Sequence, residues 1–345
     1  RKTILLFGLL INLSLLGFFK YSDFLVINID YFLQNKLPLL HIALPLAISF
    51  FSFQQIAYLV DIYKGKVGEH NLLTYSVFVC FFPQLIAGPI VHHSEMVPQF
   101  LNIKNSFINY KNVATGLFIF ILGLFKKVVI ADHFSLWATP AFDQAESLTF
   151  LEGWAASLSY TFQIYFDFSG YIDIATGISL LFNIKLPQNF NSPYKSSSII
   201  NFWQRWHITL SHFLTNYIYF PWAKSLKNIN FINTMIITFF VFVLAGFWHG
   251  PSWLYVIFGC LHGAGLVINH IFRKFFKFKI FNILSCFLTF NYVNLTFIFF
   301  RSENLDTSIN LIKSMIGLNG FDYPDYSNFN IHIILILLLS IIIVF

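Results

Sequence analysis

Apolar residues arrive in blocks along this chain, at 4–19, 39–60, 72–91, 113–131, 154–166, 231–247, 252–270, 280–300 and 331–345. A helix needs about 20 apolar residues to cross a bilayer. Several blocks reach that length and several stop short. The pattern predicts an all-α polytopic membrane protein, with roughly 9–11 spanning or re-entrant helices around a polar tunnel. Gly88-Pro89 ends the apolar stretch 72–87, and Lys126-Lys127 interrupt the block 113–131. Both features predict re-entrant or partly horizontal pieces before residue 150. Internal repeats and heptads are missing from the sequence, so 1–345 reads as a single membrane domain.

Composition sharpens this. The chain is 57% hydrophobic and 20% aromatic, with 46 Phe, and only 10% charged. A soluble domain carries about 25% charged residues, so a soluble class is excluded. The net charge of +6 fits lysines in cytoplasmic loops rather than nucleic-acid binding. Cys80, Cys260 and Cys286 lie inside apolar blocks without metal-ligand spacing and read as small core residues, so no metal is expected. No cleavable signal peptide is visible. The sequence starts at Arg1 and stops at Phe345 inside an apolar block, which reads as part of a longer protein lacking N-terminal helices and cut at its C-terminus. Abundant Phe, Ile, Asn, Lys and Tyr point to an AT-rich bacterial genome.

Loop charges give an orientation. Lys64 and Lys66 lie in 61–70, Lys185, Lys195, Arg205, Lys224 and Lys227 in 185–227, and Arg273, Lys274, Lys277 and Lys279 in 271–279. The stretch 143–152 carries Asp143, Glu146 and Glu152, and 303–325 carries Glu303, Asp306, Asp322 and Asp325 against Lys313. The positive-inside rule puts the first three in the cytoplasm and the last two outside.

Two stretches concentrate chemistry. The first, NFWQRWHITLSHFL at 201–214, holds Arg205, His207 and His212. On a helical wheel, Trp203, Trp206, Leu210, Phe213 and Leu214 share an apolar arc. His207 borders that arc, and His212 lies about 140° away. The wheel predicts an amphipathic helix, at the membrane surface with tryptophan anchors or lining a wet cavity with His207 but not His212. The second stretch is AGFWHGPSW at 245–253. Its Gly and Pro residues end a 17-residue block, about 25 Å of helix against a ~30 Å hydrocarbon core. His249 therefore falls within the membrane or at its edge. Broken backbone at that depth lies inside protein or beside a water-filled cavity, and an ionisable residue there is a candidate functional group. A neutral imidazole can take a proton from a hydroxyl. No G-x-S-x-G elbow occurs, so direct transfer with histidine as base is the simpler route.

Five segments together resemble a family. They are SFFSFQQIAYLVDIYKG (49–65), FFPQLIAGPIVHHSEMVPQF (81–100), GLFKKVVIAD (123–132), the stretch 162–222 that contains FQIYFDFSGYIDIATG and NFWQRWHITLS, and AGFWHGPSWLYVIFGCLHG (245–263). In this order they resemble the membrane-bound O-acyltransferases of bacterial surface-polysaccharide acetylation, over residues 1 to about 300. The resemblance is to the branch acting on alginate and peptidoglycan and, less closely, to the D-alanylating branch. It implies an O-acyltransferase of the inner membrane that passes acetyl from a cytoplasmic thioester, acetyl-CoA, to a cell-envelope glycan. Peptidoglycan is preferred over alginate, and a transporter that makes no bond is the competing class. The resemblance also implies His249 and His207 as catalytic residues and a periplasmic acetyltransferase- or esterase-like partner. Asn201, Arg205, Trp248 and Asp167 are the candidates for holding the donor. Where family members show Asp-Tyr-x-Tyr this chain has Asn216, so no carboxylate acts there. Asp167 and Asp173 could equally cap a broken helix. Gln54, Gln55, Gln84 and His262 are expected to bond between helices, and Asn189, Asn191 and Pro193 to form a cytoplasmic turn.

Overall fold

A computed structural model describes residues 1–34, 37–67, 71–85, 88–143, 148–276 and 281–321. The apolar block 331–345 and the charges Glu146, Lys277, Lys279, Asp322 and Asp325 lie outside the described residues. All regular elements among the described residues are helical.

Helix α1 (Lys2–Leu33) runs 32 residues, straight through Lys20 and Asp23, beyond the first apolar block. Helix α2 (Ile48–Tyr63) returns beside it, with Leu59 near Gly8 and Ser49 near Lys20. Helices α3 (Leu72–Cys80) and α4 (His93–Phe100) are short and flank the expected break at Gly88-Pro89. Helices α5 (Tyr110–Phe125) and α6 (Asp132–Asp143) are joined by a π-helical turn, Lys126–Ala131. Together they form one 34-residue span, so the interruption expected at Lys126-Lys127 is absent. The two lysines stay in the helix because the facing helix offers carboxylates. Helix α7 (Phe150–Leu181) places Asp173 2.6 Å from Lys126 and Asp167 2.6 Å from Lys127.

A capping box starts α7, with the Thr149 N–H donating to Glu152 Oε2 at 2.9 Å. Its contact with α5 is glycine on glycine. A Cβ on Gly123 would lie 2.6 Å from the Gly170 carbonyl, and one on Gly177 2.6 Å from that of Gly116. The small residues let the two backbones touch, which is how helices associate where lipid removes the hydrophobic drive.

After α7 come three short helices, α8 (Ile199–Trp203), α9 (Ile208–Phe213) and α10 (Phe220–Ser225). A hairpin follows, α11 (Phe231–His249) and α12 (Trp253–Phe275), then α13 (Asn282–Arg301) and the amphipathic α14 (Leu305–Met315). Among the described residues five spans are long and apolar enough to cross a membrane: α1, α5–α6, α11, α12 and α13. Helix α7 matches α1 in length.

Contacts sort the connections into two ends. At one end Arg301 pairs with Asp143 at 2.8 Å, and Trp154 Nε1 donates to the Met315 carbonyl at 2.9 Å. At the other, Asn183 bonds Asn112 and the carbonyls of Asn105 and Phe107, and the Lys185 N–H donates to Gln99. The described acidic residues of 143–152 and 303–321 share the first end. Lys64, Lys66, Lys185, Arg273 and Lys274 share the second. Most of the stretch 189–214, however, is not an exposed loop. It dives back into the bundle, where Tyr194 is buried and its hydroxyl donates to the Thr161 carbonyl of α7 at 2.5 Å.

Candidate active site

The stretch 201–214 does not form one helix. Ser198 caps α8 by accepting the Asn201 N–H at 3.1 Å, and the helix ends at Trp203. Residues 204–207 form turns, and His207 has φ 44° and ψ 53°. That left-handed conformation is strained for a residue with a Cβ. A wheel assumes unbroken helix, and neither Gly nor Pro between 201 and 214 betrays the break.

An outside segment supplies what the broken helix lacks. Asn191 N–H donates to the Arg205 carbonyl at 2.9 Å, and Ile208 N–H to the Asn189 carbonyl at 3.0 Å. Ser211 closes the end of α8 on the Trp203 carbonyl at 3.0 Å. The residues read as a cytoplasmic turn, 186–194, thus clamp the His207 turn from inside the bundle. Irregular backbone at membrane depth requires such partners. The His207 ring packs edge-on against Phe168 of α7, with centroids 4.9 Å apart. Phe168 lies about 27 Å from one end of α7 and about 20 Å from the other at 1.5 Å per residue.

Asn189 also fixes the chemistry of the ring. Its Oδ1 accepts the Thr209 N–H at 3.1 Å and the Thr209 hydroxyl at 2.9 Å. A backbone N–H can only donate, so this atom of Asn189 is the oxygen. His207 Nδ1 lies 3.2 Å from the same oxygen and must carry the proton. Nε2 keeps its lone pair. Both Asn189 and His207 are buried.

His249 is placed by a different device. It is the last residue of α11, and Gly250 beyond it leaves room only for the Tyr255 ring, since a Cβ there would lie 2.4 Å away. The final carbonyls of α11 are held from α1: Tyr21 hydroxyl donates to the Phe247 carbonyl at 2.7 Å, and Lys20 Nζ to that of Trp248. Rings surround His249, with Phe300 and Trp248 each 5.0 Å away and Phe258 at 5.9 Å. Its ring makes no hydrogen bond to the described residues.

His207 and His249 border one cavity of about 240 Å³. Helix α7 contributes Phe168, the re-entrant segment Trp203 and Trp206, α11 Trp248, and α13 Phe297 and Phe300. Lys20 and Ser49 complete its polar lining. The polar tunnel expected from the sequence is, in this structure, an aromatic-walled cavity with a few polar groups.

Of the donor-binding candidates, only Trp248 borders this cavity. Asn201 Oδ1 accepts Arg205 Nε at 3.2 Å, and Arg205 Nη1 donates to the Asn191 carbonyl at 3.1 Å, so this pair braces the re-entrant backbone. Asp167 forms an ion pair with Lys127 on the side of α7 that faces the α5–α6 span. His212 is exposed. His262 is fully buried: its Nδ1 accepts Trp203 Nε1 at 3.1 Å and its Nε2 faces the Thr296 hydroxyl at 2.9 Å. It bonds between helices, as do Gln55 with Tyr75 and Gln84 with the Phe78 carbonyl. Lys20 gave no signal in the sequence, because a single lysine at the end of an apolar block reads as its boundary.

A neutral imidazole with a fixed lone pair, a second imidazole without a hydrogen bond among the described residues and a cation in one aromatic-walled cavity suit proton removal from a hydroxyl beside a developing negative charge. The sequence matches the membrane-bound O-acyltransferase family over residues 62–304. It is 50% identical to a peptidoglycan O-acetyltransferase of Helicobacter pylori, over 93% of this chain and 66% of that protein. It is 34% identical to a probable alginate O-acetylase AlgI of Pseudomonas aeruginosa, over 95% of this chain and 63% of that one. A teichoic acid D-alanyltransferase of Streptococcus thermophilus is 29% identical over 74% and 68%. The chain spans slightly under two thirds of the length of the first two relatives.

Proposed function

The chain belongs to the membrane-bound O-acyltransferase family, and from that premise we propose that it transfers acetyl from a cytoplasmic thioester to a hydroxyl of peptidoglycan or of a partner that serves it. The observation that carries this reading is the meeting of His207 and His249 in one buried cavity at membrane depth. The higher identity to a peptidoglycan enzyme than to alginate enzymes favours the peptidoglycan acceptor.

His249 takes the proton of the acceptor hydroxyl as its oxygen attacks the thioester carbonyl. His207, with Nε2 unprotonated, offers the next stop for that proton. The thiolate leaves and takes it up, so proton and electron pair both balance. A cavity of about 240 Å³ has room for an acetyl group and the end of a thioester arm but not for a glycan strand, which favours transfer over transport.

Acetyl-CoA is polyanionic and docks on the end that carries Lys64, Lys66, Lys185, Arg273 and Lys274, which is the cytoplasmic end by the positive-inside rule. The acceptor, through a periplasmic acetyltransferase- or esterase-like partner, comes to the other end, in a bacterial inner membrane. Vesicles test the arrangement. Inside-out vesicles are expected to transfer label from added radiolabelled acetyl-CoA into alkali-labile ester, and sealed right-side-out vesicles are expected not to. Equal use by both orientations refutes the relay.

A further inference from the structure

We propose that Lys20 and the indole N–H of Trp248 form the oxyanion site of the transfer reaction, an inference that rests on the acyl-transfer reading above.

Lys20 projects from α1 into the cavity that holds both imidazoles. Its ammonium donates to the Trp248 carbonyl and to Ser49 Oγ, the latter at 3.1 Å. An ammonium has three N–H donors, so one is left. No carboxylate lies within 4.0 Å of it among the described residues, although Lys126, Lys127 and Arg301 each have one. Trp248 is the other donor. It is buried, stacks on Phe53 with centroids 4.7 Å apart, and its Nε1–H has no acceptor among the described residues. Trp203, another indole on the cavity border, donates its N–H to His262. The cavity border thus carries a cation with a free N–H, beside an indole whose own N–H is buried, and among the described residues it carries no anion to satisfy them.

The reaction creates that anion. When the hydroxyl oxygen attacks the carbonyl carbon, the C=O π pair moves onto oxygen while the proton passes to imidazole. When the tetrahedral centre collapses, that pair re-forms the carbonyl and the C–S pair leaves with the thiolate, which takes the proton. Donors fixed in place before the reaction stabilise the charged stage most. Lys20 also borders a second cavity of about 300 Å³, lined by Asp23, Phe24 and Pro251. The charge therefore sits at the neck between the histidines and the end of the bundle where the acceptor arrives.

A capping role is the plain alternative, because Lys20 closes the last turn of α11 and a cation favours a helix C-terminus. Substitutions separate the two. Lys20→Gln keeps a donor for the Trp248 carbonyl and removes the charge. Lys20→Arg keeps both, and Trp248→Phe keeps the stack on Phe53 and removes the N–H. Each is made in the full-length protein, and transfer from radiolabelled acetyl-CoA into alkali-labile ester is measured per molecule in inside-out vesicles. Lys20→Gln and Trp248→Phe are expected to lower the maximal rate by about 10²-fold, the loss typical of removing one such donor. KM for acetyl-CoA should change little, and Lys20→Arg should retain more activity than Lys20→Gln. A Lys20→Gln rate within threefold of wild type overturns the proposal, as does Lys20→Arg falling as far as Lys20→Gln. If Lys20→Gln does not accumulate, a Trp248→Phe rate within threefold of wild type overturns it. A wild-type protein that transfers no label overturns the acyl-transfer reading itself.

Discussion

The side-chain oxygen of Asn189 lies 3.2 Å from Nδ1 of His207 while accepting two further hydrogen bonds from Thr209. This places the His207 lone pair on Nε2 without any carboxylate. Asn189→Leu removes the acceptor. Its maximal acetyl transfer is expected to fall about 10–100-fold, the range seen when partners that orient metal-bound imidazoles are removed. The KM for acetyl-CoA should stay close to wild type. An unchanged rate in vesicles shows that the tautomer is set by something else.

His249→Ala and His207→Ala are each expected to cost at least about 10²-fold in rate, the lower range of general-base catalysis. His212→Ala, on an exposed side chain, should keep wild-type rates. Equal damage from His212 and His207 would place the reacting groups outside the cavity described above.

His262 should separate stability from chemistry. Removing its ring leaves the Trp203 indole N–H without its acceptor, while the Thr296 hydroxyl still donates to the Val293 carbonyl, a cost of about 1–3 kcal/mol for a buried donor. His262→Ala is therefore expected to unfold at lower temperature in detergent and to lose less rate per folded molecule than His249→Ala. A variant as stable as wild type contradicts this.

His92 should make stability fall with acid. Its ring stacks on Tyr217, whose hydroxyl donates to buried Asp61 at 2.6 Å. Burial holds the imidazole below its ordinary 6.5, outweighing Glu95 and Asp61, which raise it; His212 and Lys66 add to the lowering. The unfolded chain then binds a proton that the folded chain refuses, so stability present above about pH 6.5 is lost as pH drops. The unfolding-temperature gap between wild type and His92→Gln should shrink between pH 7.5 and pH 5. A gap that widens in acid reverses the sign.

Gly170→Val tests the α5–α7 contact. Even a Cβ would lie 2.8 Å from the Gly123 carbonyl, and backbone cannot yield as a side chain can. Overpacking costs about 1–3 kcal/mol or more, read as lower unfolding temperature and reduced accumulation. Normal accumulation and unfolding would mean that the helices are farther apart than described.

How much of this was legible in the sequence depends on the residue. His249 could be found because Gly246, Gly250 and Pro251 announce a break. His207 was found by a wheel that assumed a helix where the chain turns at residues 204–207, so its place in the cavity was expected for the wrong reason. Asn189 was hidden because its partners lie 18 and 20 residues away, in a stretch whose turn residues suggested a surface. Asp167 was misplaced because a polar residue in an apolar helix signals a partner without saying which face it is on. Here the partner is Lys127, in the turn between α5 and α6, rather than the cavity.

The re-entrant segment also dictates an order of biogenesis. Trp203 and Trp206 face Phe242, His262 and Phe297, all made later than the histidine turn they support. Helices α1 to α7 can leave the insertion machinery on their own hydropathy or by pairing. The segment 189–214 has no bilayer-spanning length of its own and no finished walls to enter until α11, α12 and α13 arrive. A nascent chain arrested after α10 therefore lacks a finished site, and its uncovered Trp203 and Trp206 rings are what a membrane protease or chaperone would recognise as unfinished work.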